Sequence, residues 1–358
     1  LVLFIIVVLI IGALAAVPYL FKDKLVAYAK DAANEQLDAT VDFGDFDLSI
    51  FRSFPNLSFQ IEDVTVDGNE PFQGVRLAEV GALEFTINLM PLLNGDVVIN
   101  EFGVLDSKFD VRVLEDGAAN YDIMKETEGE EEVPEAAADT AASEFNIELK
   151  RYYLKNIDLR YDDVPLVTKV EATGLDHEGT GDFTQDLFVL KTQTSIASLN
   201  VDYDGIQYLK NAELSADADL DIDANNSKYT LKENTFALNE LNLGVDGWVA
   251  MPEDPIDMDL NFYAKEAQFR HFLSLVPAEF ASDLEGVDVS GTLALNGFAR
   301  GTYTEETYPG FGVELIVDDG RFKYPDLPSS VENIGINCKI DHPGGDLDNM
   351  VVDISRFH

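Results

Sequence analysis

The sequence predicts a mainly β protein, and three observations carry that prediction. The stretch "ELSADADLDID" at 213–223 alternates without a break. Glu213, Ser215, Asp217, Asp219, Asp221 and Asp223 fall on one face of a strand and belong in water. Leu214, Ala216, Ala218, Leu220 and Ile222 fall on the other. Asp-Gly or Asn-Gly pairs recur at 67–68, 94–95, 116–117, 204–205, 246–247, 296–297 and 319–320, most of them flanked by alternating or β-branched runs. That is a repeated hairpin signal, and it predicts roughly two dozen strands. Helix-compatible stretches are few and short.

Residues 1–21, "LVLFIIVVLIIGALAAVPYLF", contain no charge. About twenty apolar residues suffice for a helix to cross a bilayer core. Ala13-Leu14-Ala15 resembles a signal cleavage site, but the run is longer than a usual signal core, so it reads as a retained transmembrane anchor. Residues 22–38 lack Pro and Gly and read as a helix with Leu25, Tyr28, Ala29, Ala32 and Leu37 on one side. From there to 124 a first β unit is expected, with clear alternation in "LSFQIE" at 57–62 that puts Leu57, Phe59 and Ile61 on one face.

Residues 125–145 are acidic, Ala-rich and almost without large apolar side chains, the composition of a disordered loop. A second β unit follows over 146–265, with alternation in "DMDLNF" at 257–262 that aligns Met258, Leu260 and Phe262. Residues 266–285 form a helical insertion, which Pro277 divides into two short helices. A third β unit occupies 286–358. Leu1 in place of methionine, and a strand-like run that continues to His358, predict a piece of a longer protein. "INEFGVLD" at 99–106 resembles "LKRYYLKN" at 149–156, which predicts a sheet extended by similar units.

Composition narrows the function. The chain has 358 residues, 46% of them hydrophobic, enough for a large apolar surface. Acids outnumber bases 67 to 24, a formal charge of −43, so nucleic acid and anionic surfaces would be repelled. The acids alternate along strands and read as a solvated outer face rather than calcium loops, which cluster their oxygens in a sharp turn. The single cysteine, Cys338, reads as a packed residue in a strand. His177, His271, His342 and His358 are scattered, with no zinc spacing, nucleophile elbow or phosphate loop. No catalytic residue, metal site or cofactor is expected, and the chain reads as a non-enzyme.

One-sided strands need a cover. A sandwich or closed barrel would cover itself. An open curved sheet would line a groove for a greasy ligand. Burying one sixteen-carbon chain is worth on the order of 10 kcal/mol, at about 0.8 per methylene. Residue patterning leaves both alternatives open.

Several elements, in order and at characteristic spacing, resemble the AsmA family. An apolar run and a helix lead to "FGDFDLSIF" at 43–51 and then "SFPNL" at 53–57. "NLMPLLNG" at 88–95 resembles the family's Pro-Leu-Leu-x-Gly element. "DGAANY" at 116–121 resembles its Asp-Gly-x-x-Asn-Trp element, with Tyr121 in place of Trp. The resemblance implies a long, twisted antiparallel β-sheet groove, a half-pipe of repeated hairpins, related to bridge-like lipid transfer proteins. It implies a single N-terminal pass in the bacterial inner membrane with the bulk of the chain in the periplasm. The implied role is carrying phospholipid or another acyl lipid between inner and outer membranes, supporting outer-membrane biogenesis with an envelope protein partner. On this reading Leu57, Phe59, Ile61, Leu214, Ala216, Ala218, Leu220, Ile222, Met258, Leu260 and Phe262 line the groove. The competing readings are an assembly scaffold with a self-filled sandwich, and a surface carbohydrate-binding β domain.

Overall fold

A computed structural model describes residues 30–31, 34–49, 56–92, 97–125, 145–146, 149–252, 255–264, 267–273, 276, 286–304, 307–325 and 328–358. The expected anchor at 1–21, most of the helix at 22–38, nearly all of the acidic segment and most of the 266–285 insertion lie outside these residues. Among the described residues no helix is long and apolar enough to cross a membrane. The chain divides into two compact units, Leu1–Pro165 and Leu166–His358.

The first unit is a sheet built on β3 (Leu57–Gly68). Its edge is shared by two short strands, β1 (Ala39–Asp42) and β2 (Phe46–Ser49), which pair with opposite ends of β3. β4 (Arg76–Ile87) pairs on the other side, and a short helix, α1 (Leu89–Leu92), follows it. β5 (Val97–Val113) pairs antiparallel with β4. Its other flank takes β6 (Phe145–Asn146) and β7 (Arg151–Asp163), both parallel to it.

The sheet is therefore mixed, which corrects the expectation of a purely antiparallel groove. The physical reason is the connection. A parallel neighbour needs a long return path, and residues 114–144, acidic stretch included, supply it. The repeat seen in the sequence is made of these two strands. Their register pairs Phe102 with Tyr152 and Val104 with Leu154, so the repeat is two parallel neighbours rather than two hairpins.

The second unit is an antiparallel meander. It runs β8 (Thr168–Thr180), β9 (Leu187–Tyr203), β10 (Ile206–Asp223), β11 (Lys228–Leu238), β12 (Leu241–Ala250) and β13 (Ile256–Ala264). After β14 (Ala267–Gln268) and α2 (Phe269–Leu273) it continues through β15 (Asp288–Tyr303), β16 (Gly310–Lys323), β17 (Val331–His342) and β18 (Val351–Phe357).

Eighteen strands lie among the described residues, fewer than expected, because several are long: β10 has 18 residues. Asp204-Gly205 does make a tight turn, with both residues at positive φ, 51° and 78°. The pairs at 246–247, 296–297 and 319–320 sit inside β12, β15 and β16 instead. At Gly297 the reason is close approach: a Cβ there would collide with the Phe262 ring from the neighbouring strand.

Asparagine side chains complete ladders where a neighbouring strand is missing or bulged. Asn120, 2% exposed, accepts from the Arg112 N–H at 2.8 Å and donates to the Asp110 carbonyl at 2.7 Å. Asn34 pairs both ways with Val41, at 2.8 Å each. Asn234 accepts from Asp219 N–H at 2.8 Å beside a bulge in β10. Each amide presents one donor and one acceptor, the same pair a strand residue would offer.

Candidate functional site

The candidate site is the apolar face of each sheet. In the first unit it carries an aromatic ladder. Phe46 meets Phe59 edge-on with ring centroids 4.4 Å apart, Phe59 meets Phe85 at 5.7 Å, and Phe85 meets Phe102 at 5.2 Å. These are favourable ring geometries. Phe102 is paired with Tyr152, whose hydroxyl is pushed above its ordinary pKa by burial. Leu57 is buried, while Phe59 and Ile61 are half-buried. Phe46, Phe85, Phe102 and Tyr152 lie outside the set of groove residues expected from sequence, although they continue the same alternation in neighbouring strands.

A line of residues crosses the long strands of this unit at the same level, and three of them, β3, β5 and β7, have a left-handed residue there. Asp63, Asp106 and Asn156 have φ of 54°, 49° and 55°. Register places Gly81 between Asp63 and Asp106, and a Cβ on Gly81 would strike Asp106. The Asn156 amide donates to Asp106 Oδ1 at 2.7 Å, which ties the line together. Its effect is visible in hydrogen bonding. Lys150 N–H donates to Asn100 O at 2.9 Å, and Val164 N–H donates to Val113 O at 3.1 Å. Asn100 and Val113 have opposite parity, yet both carbonyls point to the β7 flank.

The left-handed residue has therefore turned the strand by half a pleat. Side chains follow, so Phe102 and Val104 before the break share a face with Ser107, Phe109 and Val111 beyond it. In β3 the same slip keeps Leu57, Phe59 and Ile61 on the face of Val64 and Val66. The apolar face stays continuous across the break.

In the second unit, register brings the sequence-predicted residues together. Paired residues share a face, so transverse rows can be followed from strand to strand. One runs Phe188, Ile222, Tyr229, Val249, Met258. Another runs Leu190, Leu220, Leu231, Gly247, Leu260, Ala299, Phe311. Leu214 pairs with Ile196 and Leu238, and Ala216 with Thr194 and Phe236. Ala218 faces Thr192. Phe262 pairs with Val245 and lies over Gly297. Met258, Leu260 and Phe262 thus lie on the same face as the even positions of 214–222.

Exposure describes what covers this face. Ala218 and Ile222 are buried, whereas Leu214, Ala216, Leu220, Met258, Leu260 and Phe262 are half-buried. At one place protein supplies the cover. Phe269 of α2 packs against Leu241, Leu293 and Val317, which are 1%, 5% and 0% exposed.

The opposite face is polar. Glu213, Ser215, Asp217 and Asp219 are exposed, and Asp221 and Asp223, each with a local partner, are half-buried. Asp221 pairs with Lys232, and Asp223 accepts from Asn226 N–H at 3.3 Å. Lys191 lies 3.7 Å from Asp219, and Arg300 lies 2.9 Å from Asp259. In the first unit this face holds Tyr153, whose hydroxyl donates to Glu84 at 2.6 Å. Burial and then that carboxylate push the phenol pKa up.

Among the described residues no group of His, Cys, Asp and Glu is arranged to hold a metal ion. His342 is buried and structural: its Nδ1 accepts from Gly344 N–H at 3.2 Å, so its Nε2–H donates to Asp346 O at 2.8 Å. The arrangement offers a broad apolar surface with small residues set among large ones.

A family model described as the AsmA family matches residues 1–242. No curated protein and no solved structure matches the chain.

Proposed function

The chain belongs to the AsmA family, whose model spans 242 of its 358 residues, and from that premise we propose that it carries phospholipid by its acyl chains along the apolar sheet face. On this reading residues 1–21 anchor it in the bacterial inner membrane. The β units stand in the periplasm and lead lipid between inner and outer membranes, in support of outer-membrane biogenesis. Transport along a face makes and breaks no bond, so the reading is non-enzymatic and needs no cofactor.

The observation that supports it most is the state of the face itself. Phe59, Phe85 and Phe102 in the first unit, and Leu220, Leu260 and Phe262 in the second, belong to apolar rows yet are only half-buried. A self-filled sandwich would hold such residues as deeply as Leu241 and Val317, at 1% and 0%. Leaving part of large aromatic and aliphatic side chains in water costs free energy that an acyl chain recovers, at about 0.8 kcal/mol per buried methylene. In each unit the opposite face is polar, so a lipid chain has one face of that sheet to follow.

The test is photo-crosslinking in membranes, with the full chain carrying benzoyl-phenylalanine at one position at a time. Leu220 and Leu260 are the face positions, and Asp219 and Asp259 are their neighbours on the polar side. Mass spectrometry should find phospholipid adducts at Leu220 and Leu260 and none at Asp219 or Asp259. Adducts to protein alone at the face positions would favour the scaffold reading and sink this one.

A further inference from the structure

We infer that the strand ends around the C-terminus of β5 form an apolar lip that rests on a neutral lipid surface. Tyr121, Met124 and Val164 are 56%, 67% and 49% exposed. All three sit at the end of the first unit where β5 and β7 finish. Val164 N–H donates to Val113 O at 3.1 Å on one flank of β5, and on the other flank Asn120 N–H donates to Arg112 O at 3.0 Å. Exposed apolar residues gathered at one end of a sheet mark a contact surface, and Tyr and Met suit a boundary between water and hydrocarbon.

What identifies the partner is the attachment of this lip. Asp38 N–H donates to Ile123 O at 2.7 Å, and Lys125 N–H donates to Gln36 O at 3.2 Å. Leu37 bridges Met124. The Lys125 ammonium donates to Asn34 O at 2.9 Å and Glu35 O at 3.0 Å, the last carbonyls of the helical turn ending at Gln36. The lip is thus fixed to the segment that leads back to the uncharged run 1–21. Phe21 and Lys30 are nine positions apart in the chain, a reach of at most about 30 Å extended and roughly 14 Å as helix. Wherever that run is inserted, the lip lies close to the same surface. The formal charge of −43 excludes a strongly anionic surface.

This inference rests on the reading of residues 1–21 as a bilayer anchor. The test uses the full chain with Cys338→Ser and one new cysteine at a time, Tyr121→Cys, Met124→Cys or Val164→Cys, labelled with an environment-sensitive fluorophore. Met90→Cys, 68% exposed in α1 at the opposite strand ends, is the control. The chain is reconstituted in phosphatidylcholine vesicles that carry nitroxide on a fraction of the headgroups. Strong quenching at 121, 124 and 164 with little at 90 is expected. A chain that floats with the vesicles but is quenched no more at the lip than at 90 overturns the lip and leaves the anchor standing. A chain that does not float overturns the anchor reading, and the lip with it.

Discussion

Replacing Asn120 with alanine should destabilise the first unit by about 2–4 kcal/mol. The figure comes from two backbone groups that the buried Asn120 satisfies. The Asn120 amide satisfies Arg112 N–H at 2.8 Å and Asp110 O at 2.7 Å, and the residue is 2% exposed. Alanine cannot replace either bond, and on these half-buried strand residues each backbone group left unpaired costs about 1–2 kcal/mol, the lower part of the usual range. Water reaching one of them would bring the total to the low end of the range. With a urea slope near 2 kcal/mol/M, the midpoint should fall by roughly 1–2 M.

The two units can be read apart because the only tryptophan, Trp248, lies in β12 of the second. Far-UV circular dichroism follows both units, and tryptophan fluorescence follows the second. The shift should appear in the dichroism and be small in the fluorescence. Asn120→Asp adds a sharper check. It keeps the acceptor for Arg112 but sets a carboxylate against the Asp110 carbonyl, so it should be at least as damaging at neutral pH. Acidification should restore part of the loss as the carboxyl regains a proton to donate. A midpoint within experimental error of the parent for Asn120→Ala would refute the idea that this amide stands in for a strand.

Other predictions follow from the apolar face and its neighbours. Leu220→Arg places a charge in the row between Leu190 and Leu231. An acyl chain lays roughly four methylenes over one strand spacing, so co-purifying lipid should fall by about tenfold or more, while Asp219→Arg on the polar face should leave it unchanged. Equal lipid content in folded Leu220→Arg would remove this row from the path. Cys338, the only thiol, is paired with Leu315 and Ile354 on the same face. Loading with lipid should slow its alkylation by a maleimide, and an unchanged rate would mean lipid does not reach β17. His177, with Nδ1 2.8 Å from Thr194 Oγ1, has its pKa held below 6.5 by burial. The unfolded chain therefore binds a proton before the folded one does, and stability falls as pH drops from about 6.5 towards the lowered value. His177→Gln should lessen the loss in urea midpoint between about pH 7.5 and about pH 5.5; an identical loss would show that other groups carry it.

Much of this was legible in the sequence because a strand's side-chain period is two and needs no tertiary context. The alternation at 213–223 separated the faces before any pairing was known. The repeat at 99–106 and 149–156 suggested similar units that extend a sheet, and only the register showed that its two copies are parallel neighbours. Even the break in the first unit left a trace: the apolar positions of β3 step from Ile61 to Val64, a slip of one residue at Asp63. The slip was readable, but its meaning was not, since a lone Asp in a strand is an ordinary outer-face residue until neighbours align Gly81, Asp106 and Asn156 beside it.

The Asn-Gly pair at 296–297 shows the opposite limit. Local chemistry favours a turn there, and the contact with Phe262 from another strand overrode it. By itself, then, the sequence determined the β class, the two-faced strands, the acidic exterior and the family, because these depend on composition and local period. The tertiary structure decided which strands are neighbours, in which direction they run, and that the apolar residues of seven strands in the second unit fall into common rows. Those rows depend on register, which is set by contacts between residues far apart in the chain.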